Sequence, residues 1–152
     1  MDDLDRRIIA LLEEDGRVPN ARIARDAGVS EGTVRRRLKR LTNEKIINVI
    51  AVPDPRKLGY ESEALIGVQV DPDKIDFVAE RLSELSNSNW VSVTTGTYDV
   101  FTWATLPTAE DLGRFLREQV GAIPGVRRTE TFVSLQVIKR DHGTSISGVS
   151  QT

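Results

Sequence analysis

Residues 30–41 have the sequence Ser-Glu-Gly-Thr-Val-Arg-Arg-Arg-Leu-Lys-Arg-Leu. At about 100° per residue, the apolar side chains of this segment fall within about 40° of one side of a helix; they are Val34, Leu38 and Leu41. Arg36 points away from that side, and Ser30 is a favourable N-cap for the helix. The turn Gly28-Val29 precedes it at the spacing of a helix-turn-helix, whose second helix enters the major groove of DNA. The segment therefore predicts a DNA recognition helix.

Eight residues of this segment form the predicted contact set for double-stranded DNA: Ser30, Gly32, Thr33, Arg35, Arg36, Arg37, Lys39 and Arg40. The helix N-terminus at Ser30 offers N–H groups to a phosphate, and Gly32 permits a close approach. Thr33 suits a thymine methyl or a hydrogen bond, and Arg36 suits a bidentate contact with guanine. The other basic residues suit backbone phosphates, which position the protein without specifying sequence. The alternative is a solvated basic helix face, which the helix-turn-helix spacing disfavours.

The rest of residues 1–52 predicts two further helices and a strand. The first helix carries Leu4, Ile8, Leu11 and Leu12 on one face, with Asp2 or Asp3 as its cap, and ends at Asp15-Gly16-Arg17. The second is predicted to be capped by Asn20 and to bury Ile23, Ala24 and Ala27. Ile46–Val52 is a β-branched run that predicts a strand, completing a winged helix-turn-helix domain over residues 1–52. Prolines at 53 and 55 predict a linker over residues 53–62.

Residues 63–140 alternate between strand and helix patterns. The sequence predicts a strand over 64–70, a helix that starts at Asp71-Pro72 with an apolar face from Ile75 to Leu85, and a hairpin of strands 90–95 and 98–105. A helix capped by Thr108 and a strand over 126–138 follow. The order βαββαβ is ferredoxin-like, so the predicted fold class is α+β. Residues 141–152 are rich in Ser, Thr and Gly and predict a disordered tail.

Composition excludes several classes of function. The chain of 152 residues has no cysteine and one histidine, His142, so we expect no enzyme activity, metal site or cofactor. Its apolar runs are too short to span a membrane and its N-terminus is acidic, so we expect a cytoplasmic protein without a membrane partner. Residues 1–52 carry a net charge of +2 and residues 53–152 a net charge of −4, which indicates two separate roles.

Motifs in both halves point to one known family. In the first half they are Leu4-Asp5-Arg6-Arg7-Ile8-Ile9, Leu12, Asp15-Gly16-Arg17, Ile23-Ala24, Gly28-Val29-Ser30, Val34-Arg35-Arg36-Arg37-Leu38, Leu41, Ile47, Asp54-Pro55 and Leu58-Gly59. In the second half they are Gly96-Thr97-Tyr98-Asp99 and Ile123-Pro124-Gly125-Val126. With these motifs the chain resembles the Lrp/AsnC (leucine-responsive, feast/famine) transcriptional regulators over roughly residues 2–140. One departure is Lys45, where the family commonly has glycine.

The resemblance implies a second domain of the RAM/ACT-like type that forms homodimers through its sheets and assembles further to a tetramer or octamer. It also implies a small-molecule effector, such as an amino acid, bound between subunits. The residues that the resemblance places there are Gly96, Tyr98, Asp99, Thr129 and Thr131. Asp99 suits an α-ammonium group, Tyr98 an apolar part, and the N–H groups near Gly96 a carboxylate. The alternative is ordinary hairpin chemistry, with Asp99 capping a loop or pairing with Arg127 or Arg128 across an interface.

Other conspicuous side chains have simpler interpretations. Trp90 and Trp103 are expected in a core or an interface, and Glu61 and Glu63 are expected to face solvent from a strand.

Three competing functions remain. One is a sirohaem decarboxylase of similar layout, disfavoured by the lack of histidine before position 142. The others are a chromosome-organising protein with little sequence preference and an amino-acid sensor with a vestigial DNA helix.

Overall fold

The computed structural model describes residues 1–140, which form two compact units. Of the described residues, the N-terminal unit comprises residues 1–52 and Arg140, and the C-terminal unit comprises residues 53–139. The predicted disordered tail over 141–152 lies outside the described residues. No helix among the described residues is both long and apolar enough to cross a membrane.

The N-terminal unit contains three helices: α1 (Asp3–Glu14), α2 (Asn20–Ala27) and α3 (Glu31–Asn43). Their buried faces meet in one core that contains Ile8, Ile23, Val34 and Leu41, each fully buried. Asp2 caps α1 through a capping box with Asp5, and Ser30 caps α3, as predicted. Gly28 ends α2 at φ 66°, a left-handed conformation that glycine adopts without a steric penalty. The predicted helix-turn-helix is therefore confirmed.

The predicted cap of α2 is wrong. Asn20 is the first residue of the helix, and Pro19 is the N-cap, with no side-chain hydrogen bond there. Pro19 has φ −66° and ψ 143°, so the chain is extended at this residue and turns helical only after it. Its carbonyl accepts from the N–H groups of Arg22 (2.9 Å) and Ile23 (3.2 Å). The helix is therefore started by the backbone of Pro19, whose φ is fixed by its ring, and not by the side chain of Asn20.

The α3 helix ends in a Schellman motif with a lysine at its left-handed position. The Ile46 N–H donates to the Leu41 carbonyl (2.9 Å), and the Lys45 N–H donates to the Thr42 carbonyl (3.1 Å). Lys45 has φ 55°, a conformation that costs a residue with a Cβ more than it costs glycine. The glycine that the family commonly has at this position is thus explained by backbone geometry.

The strand predicted over Ile46–Val52 does not form. These residues form no sheet ladder, and Ile46, Val49, Ile50 and Val52 are exposed. A strand needs a neighbour to receive its hydrogen bonds, and the described part of the N-terminal unit contains no other strand. The wing is therefore absent from the single chain, although the helix-turn-helix fold is present.

The C-terminal unit has the predicted order βαββαβ. Its elements are β1 (Ser62–Val70), α4 (Ile75–Ser83), β2 (Ser88–Val93), β3 (Val100–Leu106), α5 (Ala109–Phe115) and β4 (Val126–Val133). A single 3-10 turn (Arg56–Leu58) precedes β1, and a π-helical turn (Leu116–Val120) follows α5. The strands form one antiparallel sheet in the order β2-β3-β1-β4. The predicted α+β fold class is confirmed.

Three element boundaries differ from the prediction because long-range bonds override local signals. The helix α4 starts at Ile75 and not at Asp71-Pro72, since the Asp71 N–H donates to the Gly125 carbonyl (2.9 Å) and a turn to Lys74 intervenes. The β2–β3 hairpin has a longer connection, residues 94–99, in which the Asp99 N–H donates to Val68 (3.0 Å) on β1. The strand β4 ends at Val133 and not at residue 138, because its partner β1 begins at Ser62, only two residues beyond the last pair Ala64–Val133.

The two faces of the sheet differ in character. Side chains that alternate along β1 at Ala64, Ile66 and Val68 are fully buried in the core with residues of α4 and α5, including Leu82 and Phe115. The intervening positions point to the opposite face, which we call the outer face; its members include Leu65, Gly67, Phe101, Trp103 and Phe132. This alternation decides on which side of the sheet each candidate site residue lies.

Candidate DNA-binding and effector sites

The N-terminus of α3 is held by its own polar side chains. The Ser30 hydroxyl accepts from the Thr33 N–H (3.2 Å), and the two hydroxyl oxygens lie 3.0 Å apart. Gly32 is exposed, and a Cβ built there would meet only Ser30 Oγ, at 3.8 Å. This end of the helix is therefore capped and uncrowded, as a close approach to another molecule requires.

Four basic residues of α3 are exposed, and three of them point into solvent without an ionic partner in the described part of the chain: Arg35, Arg36 and Lys39. Within residues 1–140 none of the three forms an ion pair or a side-chain hydrogen bond. Val34 and Leu41 on the other side of the helix are fully buried. The outward face of α3 therefore presents unpaired positive charge while its inward face is fixed in the core.

The other two basic side chains of α3, Arg37 and Arg40, form ion pairs with carboxylates near the start of α1. Arg37 Nη1 lies 2.5 Å from Asp2 Oδ2 and 3.2 Å from Asp5 Oδ1. Arg40 Nη2 lies 2.5 Å from Asp5 Oδ2. The Asp5 side chain is fully buried and also accepts from the Asp2 N–H (3.0 Å). We call these four residues the acid–arginine cluster; it joins the start of α1 to the middle of α3.

The cluster keeps its carboxylates ionised. Burial by itself raises the pKa of Asp5, but the Asp2 N–H and the guanidinium groups of Arg40 and Arg37 outweigh burial and lower it below the usual value. The pKa of Asp2 is lowered to about 2, first by the hydrogen bond from the Asp5 N–H and then by Arg37. The pKa of Arg37 is raised by both carboxylates.

Asp5 was not predicted from sequence to be a partner of α3. The available signal was the spacing of three residues between Asp2 and Asp5 and again between Arg37 and Arg40.

The predicted effector loop is internally bonded. Gly96 is exposed with φ 109°, and no atom would lie within 4 Å of a Cβ there. The Thr94 N–H donates to the Asp99 carbonyl (2.9 Å), and the Thr94 hydroxyl donates to the Tyr98 carbonyl (3.1 Å). The alternative of hairpin chemistry thus accounts for the conformation of this loop.

Asp99 has a structural partner. Its Oδ2 accepts from the Val70 N–H (2.8 Å), at the point where the β1–β4 register shifts. Within the single chain Arg127 lies against Asp71 (3.7 Å), so a pairing of Asp99 with Arg127 or Arg128 across an interface stays a prediction. One carboxylate oxygen of Asp99 therefore stabilises the irregular end of β1.

The two walls predicted for the effector site lie on opposite faces of the sheet. The Tyr98 ring lies on the outer face over Gly67, where a Cβ would come within 2.7 Å of Tyr98 Cγ. Thr129 pairs with Val68 and Thr131 with Ile66, and these partners belong to the face that the helices cover. Tyr98 and the two threonines therefore do not meet within one chain.

The outer face carries a buried acid and several aromatic side chains. Glu63 is 5% exposed, and Trp103 Nε1 donates to its Oε2 (3.3 Å). The expectation that Glu63 faces solvent is therefore wrong, whereas Glu61 is exposed as expected. Trp90, opposite Trp103, is 51% exposed, and Phe132, opposite Leu65, is 46% exposed. Among the described residues, no group of acids and histidines is placed to hold a metal ion.

Comparisons with known proteins agree with this architecture. Residues 1–42 match the family model of the AsnC-type helix-turn-helix domain, and residues 63–144 match that of the Lrp/AsnC ligand binding domain. An uncharacterised HTH-type transcriptional regulator of Pyrococcus furiosus is 41% identical over 140 residues, covering 91% of this chain and 95% of that one. The HTH-type transcriptional regulator Ptr1 of Methanocaldococcus jannaschii is 35% identical over 140 residues, covering 91% and 95%.

Solved structures show the same fold. Escherichia coli AsnC superposes with a TM-score of 0.84 at 26% identity, covering 93% of this chain and 97% of that chain. A transcriptional regulator from Neisseria meningitidis, solved as a complex with L-Met, superposes with a TM-score of 0.83 at 23% identity and covers 96% of each chain. Fold, site and relatives define a DNA-binding transcriptional regulator with a helix-turn-helix. The chain belongs to the Lrp/AsnC family.

Proposed function

We propose that the chain is a homodimeric, sequence-specific DNA-binding regulator that reads the major groove with the outward face of α3 and responds to a small effector. The observation that carries the proposal is the set of exposed, unpaired basic side chains on α3 opposite its buried face. An unpaired guanidinium on a rigid helix can reach guanine or a phosphate without first breaking an internal ion pair.

The contacts divide by role. Arg36 lies on the outermost line of α3 and is proposed to read a guanine, while Gly32 and Thr33 border the same groove. Arg35 and Lys39 are proposed to neutralise phosphates, and the helix N-terminus at Ser30 to bind one more. The division into a DNA-binding domain (1–52), a linker (53–62) and a second domain (63–140) belongs to the proposal.

Dimerisation is proposed through the outer face of the sheet. The half-exposed Trp90 and Phe132, together with Trp103, make this face apolar, and burying such side chains between two copies is favourable. Two copies related by a two-fold axis would present two α3 helices to a palindromic site. Further assembly to a tetramer or octamer is part of the proposal.

A test of the dimer compares two exposed phenylalanines. Phe132→Glu places a charge on the outer face, whereas Phe77→Glu places one on α4, where Phe77 is 43% exposed. Sedimentation velocity should show a smaller species for Phe132→Glu and the wild-type species for Phe77→Glu. Equal sedimentation of both variants and the wild type would contradict the proposed interface.

The effector is proposed to be an amino acid bound between subunits. Because Tyr98 and the two threonines Thr129 and Thr131 lie on opposite faces of one sheet, a site that uses both needs residues from two chains. The L-Met complex of the Neisseria meningitidis regulator supports this class of ligand.

Thermal denaturation with each amino acid in turn measures binding, since a ligand at 100 times its Kd stabilises the folded state by about 2.7 kcal/mol. An effector should raise the Tm of the wild type and not that of Tyr98→Ala; no Tm change with any amino acid would contradict this ligand class.

No catalytic role is proposed, and a cytoplasmic location with access to chromosomal DNA is part of the proposal. The alternative of a chromosome-organising protein needs the same α3 helix but little sequence preference. The two are separated by selection of duplexes from a random pool by the full-length protein at a stated salt concentration. Enrichment of one motif supports the regulator. Binding without enrichment would favour the alternative.

A further inference from the structure

The acid–arginine cluster joins residues that are far apart in sequence. Asp5 and Arg40 are 35 positions apart, and their side chains lie within 2.5 Å in the folded unit. Asp5 is fully buried, whereas the side chains of Arg37 and Arg40 are 25% and 41% exposed. The buried carboxylate is therefore a fixed point on α1 to which two positions of α3 are tied.

The two guanidinium groups are not free to leave this carboxylate. A buried charge without partners is far less stable than a paired one, because it has lost its hydration. If Arg40 moved to a phosphate, Asp5 would keep only Arg37 and the Asp2 N–H. Arg37 is held by two carboxylates, those of Asp2 and Asp5. The pairing therefore opposes the use of either arginine by DNA.

The pairing also fixes the rotation of α3. Arg37 and Arg40 are three positions apart and lie on one flank of the helix, so two bonds to one carboxylate resist rotation about the helix axis. The hydrophobic core by itself allows small rotations, because apolar contacts are not directional. A rotation of α3 would move Arg36, which lies on its outward face, across the base edges that it must meet.

We propose that Asp5 is a positioning residue for sequence recognition: it sets the rotation of α3 and withdraws Arg37 and Arg40 from the phosphate contacts, which fall to Arg35 and Lys39. This inference rests on the proposed function of DNA reading by α3. It revises the contact set expected from sequence, in which all five basic residues of α3 face DNA.

The salt dependence of DNA binding measures which side chains neutralise phosphates. Each phosphate contact contributes about 0.9 to the slope of log K against log salt, whatever its effect on affinity at one salt concentration. Losing one contact therefore changes the ratio of affinities between 50 mM and 200 mM salt by about 3.5-fold. A side chain that acts only inside the protein leaves this slope unchanged.

The test compares two adjacent substitutions with the same charge change, Lys39→Gln and Arg40→Gln. Both full-length variants are titrated with a duplex selected by the wild-type protein and with a random duplex of equal length. Lys39→Gln should lower the slope by about 0.9 on both duplexes, and Arg40→Gln should keep the wild-type slope. An equal fall in slope for Arg40→Gln would overturn the inference.

Asp5→Asn tests positioning directly, because it keeps the shape of the side chain and removes its charge. With circular dichroism showing a fully folded variant, affinity for the selected duplex should fall at least tenfold relative to affinity for the random duplex, which is retained or rises because Arg37 and Arg40 are released. A purely structural role would leave the ratio of the two affinities unchanged, and that result would overturn the inference. If Asp5→Asn does not fold, the double variant Asp5→Asn/Arg40→Gln is used, because it removes the charges of both partners. The ratio of its affinities for the selected and the random duplex is then compared with that of the wild type. A wild type that selects no duplex would instead refute the proposed function itself.

Discussion

Lys45 offers a sharp test of the backbone geometry at the end of α3. The residue follows the helix at φ 55° and is exposed, so Lys45→Gly removes no buried contact. The left-handed conformation destabilises a residue with a Cβ by about 1–2 kcal/mol. Glycine avoids this strain, but its greater loss of backbone entropy on folding destabilises the folded state by about 0.5–1 kcal/mol. The backbone terms alone therefore favour glycine by about 0.5–1 kcal/mol, which by itself corresponds to about 2–8 °C in Tm for a small domain.

The charge of Lys45 requires a control. An ammonium near a helix C-terminus is favourable by about 0.3–1 kcal/mol, and Lys45→Gly loses that contribution. Lys45→Ala loses the same charge and keeps the Cβ, so the difference between the two variants isolates the backbone term. Urea denaturation followed by circular dichroism should place Lys45→Gly about 1 kcal/mol above Lys45→Ala. Equal stabilities, or a more stable alanine variant, would refute the left-handed assignment.

Two further predictions concern acid stability and packing over the sheet. Folding lowers the pKa of Asp2 from the usual 3.8 to about 2 and also lowers that of Asp5, so their stabilising effect is complete above about pH 4 and is lost as the pH falls towards 2. Urea midpoints between pH 5 and pH 2 should fall for the wild type and fall less for Asp2→Asn; parallel curves would contradict the cluster. Gly67→Ala should lower the free energy of unfolding by about 1–3 kcal/mol, because its Cβ would lie 2.7 Å from Tyr98 Cγ. Adding Tyr98→Ala should remove most of that difference in urea unfolding, whereas an unaffected single variant would show that the ring does not lie over Gly67.

Elements with local signals were predicted well from sequence. The caps at Asp2, Ser30 and Thr108 each involve a partner three residues away, so the pattern and its structure lie in the same short segment. The order of strands and helices in residues 63–140 likewise follows from local periodicity.

Features that depend on distant partners were not predictable in this way. The run Ile46–Val52 has the composition of a strand but has no neighbour in the single chain. The start of α4 is set by a bond between Asp71 and Gly125, which overrides the Asp-Pro signal. Spacing within α3 likewise could not show that Arg37 and Arg40 are paired with α1. Long-range bonds, more than propensity, therefore account for the differences.

The candidate effector residues illustrate the same point on the scale of a sheet. Sequence alternation correctly put Thr129 and Thr131 on one face of β4, but only the register with β1 shows that this face is the one covered by helices. The conformation of Asp99 is also set by a strand partner, Val70 on β1. Effector binding therefore remains a proposal that depends on a second chain.

If the outward face of α3 reads base sequence, Arg36 is the side chain whose loss should weaken recognition most. Arg36→Ala removes an exposed, unpaired side chain, so the fold should be unaffected. A bidentate contact with guanine is worth about 1–3 kcal/mol of discrimination, or about 5- to 150-fold. Affinities of the variant and the wild type are measured on the selected duplex and on a random duplex at one salt concentration. We expect a loss of that size on the selected duplex and almost none on the random one. Equal losses on both duplexes, or no loss on either, would show that Arg36 does not read a base.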